Sequence, residues 1–200
     1  MKPRSVAVIG ATKTETKRGY QSIRTLLAEK YEGTIYPVNP KENSILGLRC
    51  YPRITEIEGP VDLALIATPA ATVPGILGSC GAKGVAGAVV LAGGFRETGM
   101  KGQALEEDIL AVARRNDIRI IGPNTSGMMN LVDHLNLVGI RDVPKGDIAL
   151  LSQSGNMALS LITEPERQHG PEPDYGSQAQ KPQGLFLLCG GGQRNRHQIS

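Results

Sequence analysis

Short β-branched runs alternate along this chain with stretches whose apolar residues recur at helical spacing. The first run, Ser5–Ile9 (SVAVI), reads as a buried parallel strand. It stops at Gly10, passes through a polar loop over residues 12–18, and gives way near Gly19 to a helix. That helix places Tyr20, Ile23, Leu26 and Leu27 on one apolar face. Thr34–Val38 (TIYPV) is the second strand, and residues 42–58 predict a turn, a short extended piece and a short helix before Gly59-Pro60. Residues 61–66, 85–91 and 118–121 are the third to fifth strands. Between them lie helices from Thr72, read as an N-cap, to about Ala82, and from about Gly102 to Asn116, with Leu105, Ile109, Leu110 and Val112 turned inward. Strands alternating with amphipathic helices through short loops predict an α/β fold, a doubly wound parallel sheet.

A connecting segment spans residues 131–146, with Asn136-Leu137 in a short extended piece and Val143-Pro144-Lys145-Gly146 closing it as a turn. Residues 147–151 start another strand, Ser152-Gln153-Ser154-Gly155 ends it, and a helix opens at about Asn156. This repeats the opening plan and reads as the beginning of a second α/β domain. From Pro165 the chain turns rich in Pro, Gly and Gln and loses apolar periodicity, the pattern of a disordered tail. The expected organisation is therefore residues 1–142, 147–164 and 165–200.

Composition narrows the function. A net charge of +3 over 200 residues, with dispersed basic residues, gives no nucleic-acid footprint, and 4% aromatics cannot build a base-stacking surface. Cys50, Cys80 and Cys189 have neither metal-ligand nor disulfide spacing, so they read as buried or incidental thiols and no metal site is expected. No apolar run approaches the roughly 18 residues of a membrane span. Met1-Lys2-Pro3-Arg4 leads straight into the first strand. A cytoplasmic protein without membrane or nucleic-acid partners is expected.

Chemistry concentrates where the strands end. Strand, glycine turn, loop and helix start form an anion site, because free backbone N–H groups and the helix dipole point at the ligand. The loops expected on that edge are residues 10–19, 37–41, 68–69, 92–97 and 122–124. The dinucleotide fingerprint G-x-G-x-x-G is not met, since Gly10 is followed by no glycine until Gly19. The second strand ends in Asn39-Pro40-Lys41, with a cation where a ribose diol needs an acid. With Lys17 and Arg18, Lys41 suits a ligand bearing several phosphates, one of them on a ribose, and disfavours NAD.

Six motifs in register then resemble one family: SVAVIGAT…KRGY, GTIYPVNPKENSILGLRCYPRI, GPVDLALIATPAATVP, CGAKGVAGAVVLAGGF.E.G, IRIIGPNTSG and IALLSQSGNM. Together, from Ser5 to about Glu164, they resemble the N-terminal CoA-binding domain of ADP-forming acyl-CoA synthetases of the acetate–CoA ligase type. More distantly they are similar to the α subunit of succinyl-CoA synthetase. The resemblance implies a Rossmann-like CoA-binding domain followed by the start of a flavodoxin-like domain. It implies that Gly10, Ala11, Thr12, Lys17, Arg18, Gly19 and Tyr20 hold the CoA phosphates. Lys41, presented by Val38, Asn39 and Pro40, would meet the 3′-phosphate, and Thr68, Pro69 and Ala70 would line the adenine–ribose side. Gly93, Gly94, Phe95 and Glu97, with Pro123 and Asn124, would guide the pantetheine arm. Thr16 departs from the family, which usually shows Gly before that Lys.

In the family a later domain supplies a transiently phosphorylated histidine, and Ser152 and Ser154 match a loop that helps hold it. His134, His169 and His197 match no such context, so no catalytic residue is expected in this chain. CoA or acyl-CoA is the implied ligand. ATP/ADP and Mg would enter only through an ATP-grasp domain or β chain, and the chain alone would not run the ligase cycle. Two other readings stand beside this one: a non-catalytic CoA or acyl-CoA sensor module and an NAD(P)-binding oxidoreductase domain. Back-translation of residues 184–200 from the second base of each codon accommodates GFSYYVGVGNETDIKF, which is similar to the family's sequence downstream of SQSG. The tail is accordingly expected to be truncated, out-of-frame translation.

Overall fold

A computed structural model describes residues 2–141, 143, 150–152, 154, 157, 158 and 160, together with the strand Leu185–Leu188. The opening unit is β1 (Ser5–Ile9), helix α1 (Arg18–Ala28) and β2 (Thr34–Val38). A small hairpin of β3 (Ser44–Ile45) and β4 (Leu48–Arg49) and a 3-10 turn at Ile54–Glu56 come next, matching the turn, extended piece and short helix expected there. Then come β5 (Leu63–Ile66), α2 (Val73–Ala82), β6 (Gly87–Val90), α3 (Met100–Arg115) and β7 (Arg119–Ile121). Five of these strands form one parallel sheet in the order β2-β1-β5-β6-β7. This is a doubly wound order, and the direction of winding reverses between β1 and β5.

Period-two alternation gives the sheet its two buried faces. Val6 and Val8 of β1 join Leu63 and Leu65 in a layer with Ile23 and Leu26 of α1. Ala7 and Ile9 face the other way, with Ala64, Ile66 and the inner residues Leu77 of α2 and Ile109 of α3. Leu27, expected on the inner face of α1, is 41% exposed; the buried stripe runs through Gly19, Ser22, Ile23, Thr25 and Leu26 instead. Pro37 is accommodated because β2 is an edge strand, where a missing N–H costs no ladder bond on the open side. Its carbonyl accepts from the Tyr51 N–H at 2.9 Å.

A second sheet covers α1 from outside. Residues 131–146, expected as a connecting segment, contain a 3-10 turn at Leu131–Asp133 and strand β9 (Leu135–Asn136), and just before them lies an unforeseen strand β8 (Gly127–Asn130). With β10 (Leu150–Ser152) and β11 (Leu185–Leu188) these make a four-stranded sheet in the order β10-β11-β8-β9. α1 is tied to it through polar contacts: the Thr25 hydroxyl donates to the Asn136 carbonyl at 3.0 Å and the Ser22 hydroxyl to the Leu137 carbonyl at 3.5 Å.

The strand expected at residues 147–151 is observed as β10, and Met157, Ala158 and Ser160 beyond it are helical. Ala158 is fully buried with Met129, Leu131 and Val138, so this segment docks on the sheet that covers α1. Within the segment from Pro165, Leu185–Leu188 pair parallel to β10 and antiparallel to β8. The remainder of residues 161–200, including His169, His197 and Cys189, lies outside the described residues, as do residues 144–149. Cys50 and Cys80 are free and buried. Among the described residues no helix is long and apolar enough to cross a membrane.

Candidate functional site

The carboxyl ends of the five parallel strands form one edge, and the loops leaving them touch in sequence. Gly10 takes φ +87°, which turns the chain away from β1 in a conformation that favours glycine. A Cβ there would lie 2.8 Å from the Ala67 carbonyl oxygen and 2.9 Å from Thr68 Cγ2, so the first loop abuts the loop after β5 at the switch point. The polar stretch beyond it is organised by Thr12, whose hydroxyl accepts from the Thr14 N–H at 3.2 Å. Lys17 precedes α1 in extended conformation; α1 has neither a side-chain cap nor an acid in its first turn. Its amino end therefore keeps its positive field uncompensated. Gly19 is a close-approach position: a Cβ would overlap the Gly10 carbonyl oxygen and stand 3.1 Å from Ala11 Cα.

Arg18 lies at the start of α1. Its guanidinium is partly buried and donates to the Ser126 carbonyl at 2.5 Å, and burial lowers its pKa. Its chief contact hooks the start of α1 to the segment leading into β8. Lys17, by contrast, is exposed and Tyr20 half-buried. Thr16 is exposed and its carbonyl accepts from the Gln21 side chain at 3.5 Å.

The turn after β2 is locked by Asn39. Its side-chain N–H donates to the Ala11 carbonyl at 2.6 Å, and its side-chain oxygen accepts from the Lys41 N–H at 2.9 Å. The turn thus rests on the first loop and projects Lys41, which is exposed and makes no ion pair with a described residue. The Asn39 amide thus holds the turn through one N–H and its oxygen. Val38 is buried and Pro40 exposed.

On the other side of the switch point, Thr72 occupies the N-cap position of α2, as expected, but makes no side-chain capping bond. Its hydroxyl donates back to the Pro69 carbonyl at 2.7 Å within a 3-10 turn at Ala70–Thr72 that leads into the helix. Pro69 is exposed, and Thr68 and Ala70 are half-buried. A Cβ on Gly94 would lie 3.2 Å from the Ala70 Cβ, which joins the loop after β5 to the loop after β6. A Cβ on Gly93 would meet Glu97 Oε1 at 3.1 Å and Asn124 Oδ1 at 3.2 Å, so two side-chain oxygens converge over Gly93. Asn124 reaches this place in left-handed conformation, φ +57°, after the cis Gly122-Pro123 bond, with its N–H on the Ala92 carbonyl at 2.8 Å. The Phe95 ring is fully buried in the core cluster that includes Ile109, so its side chain anchors this loop.

Glu97 accepts the Gly94 N–H at 2.7 Å, whereas Arg96 pairs with Glu106 at 3.4 Å rather than with Glu97. Desolvation pushes the Glu97 carboxyl up, but the N–H groups of Gly94, Glu97 itself and Phe95 favour its ionised form and hold it below its ordinary value. A depressed value means that the stabilising contact is complete above the ordinary value of 4.5 and is lost as pH falls through the lower folded value. The Gly94 amide resonance is expected to titrate with a midpoint below 4.5, and Glu97→Gln to abolish that transition. A midpoint at or above it would contradict the hydrogen-bonded carboxylate.

Ser152 and Ser154 lie apart from this row, at the end of β10. The Ser152 hydroxyl accepts from the Ser154 N–H at 3.1 Å, and the Ser154 hydroxyl accepts from the Met157 N–H at 3.3 Å in the manner of a helix cap. Two residues passed over in the sequence belong to the site: Lys13 of the first loop and Glu42 of the turn after β2 form an ion pair at 2.8 Å. Nothing in their spacing signals it, because the partners come from different loops. Among the described residues no cluster of three metal-ligating side chains occurs.

The row therefore runs from Lys41 through Asn39, Ala11 and Gly10 to Thr68, Ala70, Gly94, Gly93, Glu97 and Asn124, with the amino end of α1 beside its centre. Known proteins resemble the chain over the same region. The acetate–CoA ligase (ADP-forming) of Methanocaldococcus jannaschii is 46% identical over 161 residues, 80% of this chain and 22% of that protein. The α subunit of acetate–CoA ligase (ADP-forming) II of Pyrococcus furiosus is 41% identical over 160 residues, 80% of this chain and 35% of that one. A solved structure of the dinucleotide forming acetyl-coenzyme A synthetase 1 of Ca. Korarchaeum cryptofilum, in complex with phosphate and ADP, superposes with a TM-score of 0.78 at 36% identity. It covers 82% of this chain and 35% of that one. The chain thus spans between about a fifth and a third of the length of these relatives. The family model for the CoA binding domain matches residues 4–130, from the start of the parallel sheet to the end of β8, and the chain belongs to that family.

Proposed function

We propose that this chain holds CoA along the carboxyl edge of its parallel sheet and serves as the CoA-binding part of an ADP-forming acyl-CoA synthetase. The observation that carries the placement is the uncapped, acid-free start of α1 at the switch point, flanked by the exposed cations Lys17 and Lys41. An anion at that helix start meets backbone N–H groups and the positive end of the dipole. In this reading the pyrophosphate lies on the turn from Gly10 to Gly19 and the 3′-phosphate meets Lys41. Pro69 and Ala70 line the adenine–ribose side. The pantetheine arm passes Gly93, Gly94 and Asn124, so the thiol leaves the row near Glu97.

The ligase activity is proposed for the whole enzyme. It joins an acid to CoA at the expense of ATP through a phosphohistidine, with ATP and Mg bound by an ATP-grasp domain or partner chain. The relative named as an α subunit supports a partner of this kind. Ser152 and Ser154 are assigned to the loop that helps hold the phosphohistidine. Calorimetric titration of the chain with CoA and, separately, with NADPH tests the ligand. Saturable CoA binding without NADPH binding is expected; NADPH binding without CoA binding would replace this reading with that of a nicotinamide-dependent domain.

A further inference from the structure

Of the ion pairs among the described residues, Lys13–Glu42 alone bridges two loops of the proposed CoA row. Lys13 Nζ, on a side chain 63% exposed, stands 2.8 Å from Glu42 Oε2, on a side chain 21% exposed. Surface pairs of this kind contribute little to stability, so its importance is sought in the field it creates. The turn that projects Lys41 carries a carboxylate at the very next position, Glu42. That turn is fixed against the first loop by the Asn39 contact to the Ala11 carbonyl, at 2.6 Å, so Glu42 cannot swing away with it. An unpaired carboxylate beside a multiply charged phosphate ligand opposes binding, and the opposition is stronger at a partly desolvated mouth than in water.

We infer that Lys13 is a positioning residue that masks Glu42, keeping the phosphate mouth positive without itself holding a phosphate. The inference rests on the CoA reading above. The pair also explains why the mouth tolerates an acid beside Lys41: with Glu42 neutralised by Lys13, the exposed cations Lys17 and Lys41 and the half-buried Arg18 outweigh the exposed Glu15 of the same loop.

CoA titrations of the wild-type chain, Lys13→Met, Glu42→Gln and the double variant separate masking from direct contact. Lys13→Met alone is expected to weaken binding about tenfold, but about twofold or less when made together with Glu42→Gln. Lys13→Arg is expected to retain wild-type affinity, and the melting temperatures of all the variants to agree within about 2 °C. The same loss from Lys13→Met in both backgrounds would make Lys13 a phosphate ligand and overturn the mask, as would no loss in either. If the wild-type chain binds no CoA, the CoA reading and the mask fail together; if it binds and the losses are equal, only the mask fails.

Discussion

Gly19→Ala is expected to destabilise the chain by about 1–3 kcal/mol and to weaken CoA binding by about tenfold or more. The added Cβ would overlap the Gly10 carbonyl oxygen and stand 3.0 Å from its carbon, which is backbone and has no rotamer to yield. Relief requires α1 to shift its first turn away from the glycine turn. The N–H groups proposed to face the CoA phosphates lie in that turn, so stability and affinity are expected to fall together. Gly75→Ala is the matched control: it lies within α2 and a Cβ there has no neighbour within 4 Å. It is expected to raise stability by about 0.5–1 kcal/mol, from helix propensity alone, with CoA affinity unchanged. Thermal denaturation and calorimetry read both. Wild-type behaviour of Gly19→Ala would show that the helix start is not held against the turn as described.

The second large effect belongs to Lys41. The wild-type chain is expected to bind CoA about tenfold to hundredfold more tightly than dephospho-CoA, the range of one charge-assisted hydrogen bond to a phosphate. Lys41→Ala is expected to erase that preference while leaving dephospho-CoA affinity near wild type. The geometry favours a clean result. Asn39 fixes the turn through backbone partners, so removing the exposed Lys41 side chain leaves its scaffold intact. Equal wild-type affinities for the two ligands would reject the assignment of the 3′-phosphate to Lys41.

The parallel sheet was legible because burial on two faces writes itself locally, as β-branched runs ended by glycine and proline. The carboxyl-edge loops came from topology, and the cationic end of β2 spoke for a phosphate-rich ligand on residue type alone. Features that depend on distant partners stayed hidden. β8 has all four residues buried, yet Gly-Met-Met-Asn has no period and no β-branched residue to announce a strand. The bond from Arg18 to the Ser126 carbonyl joins residues 108 positions apart, and no local pattern announces it. Phe95 sits in a glycine-rich loop that promises exposure, yet its ring is drawn fully into the core. Thr72 has the right residue type for a cap, and the 3-10 turn before α2 diverts its hydroxyl to Pro69.

The Arg18, Thr25 and Ser22 anchors share one property: each crosses more than 100 positions of chain, at separations of 108, 111 and 115. α1 is local in sequence, but its seating is among the least local features of the fold. Such contacts form only after long loops close, and loop closure is the slow entropic step of folding. During synthesis from the amino terminus, the glycine turn and α1 emerge early, but their anchoring carbonyls at Ser126, Asn136 and Leu137 emerge far later. The start of α1 therefore reaches its final geometry only after residues 126–137 have been made.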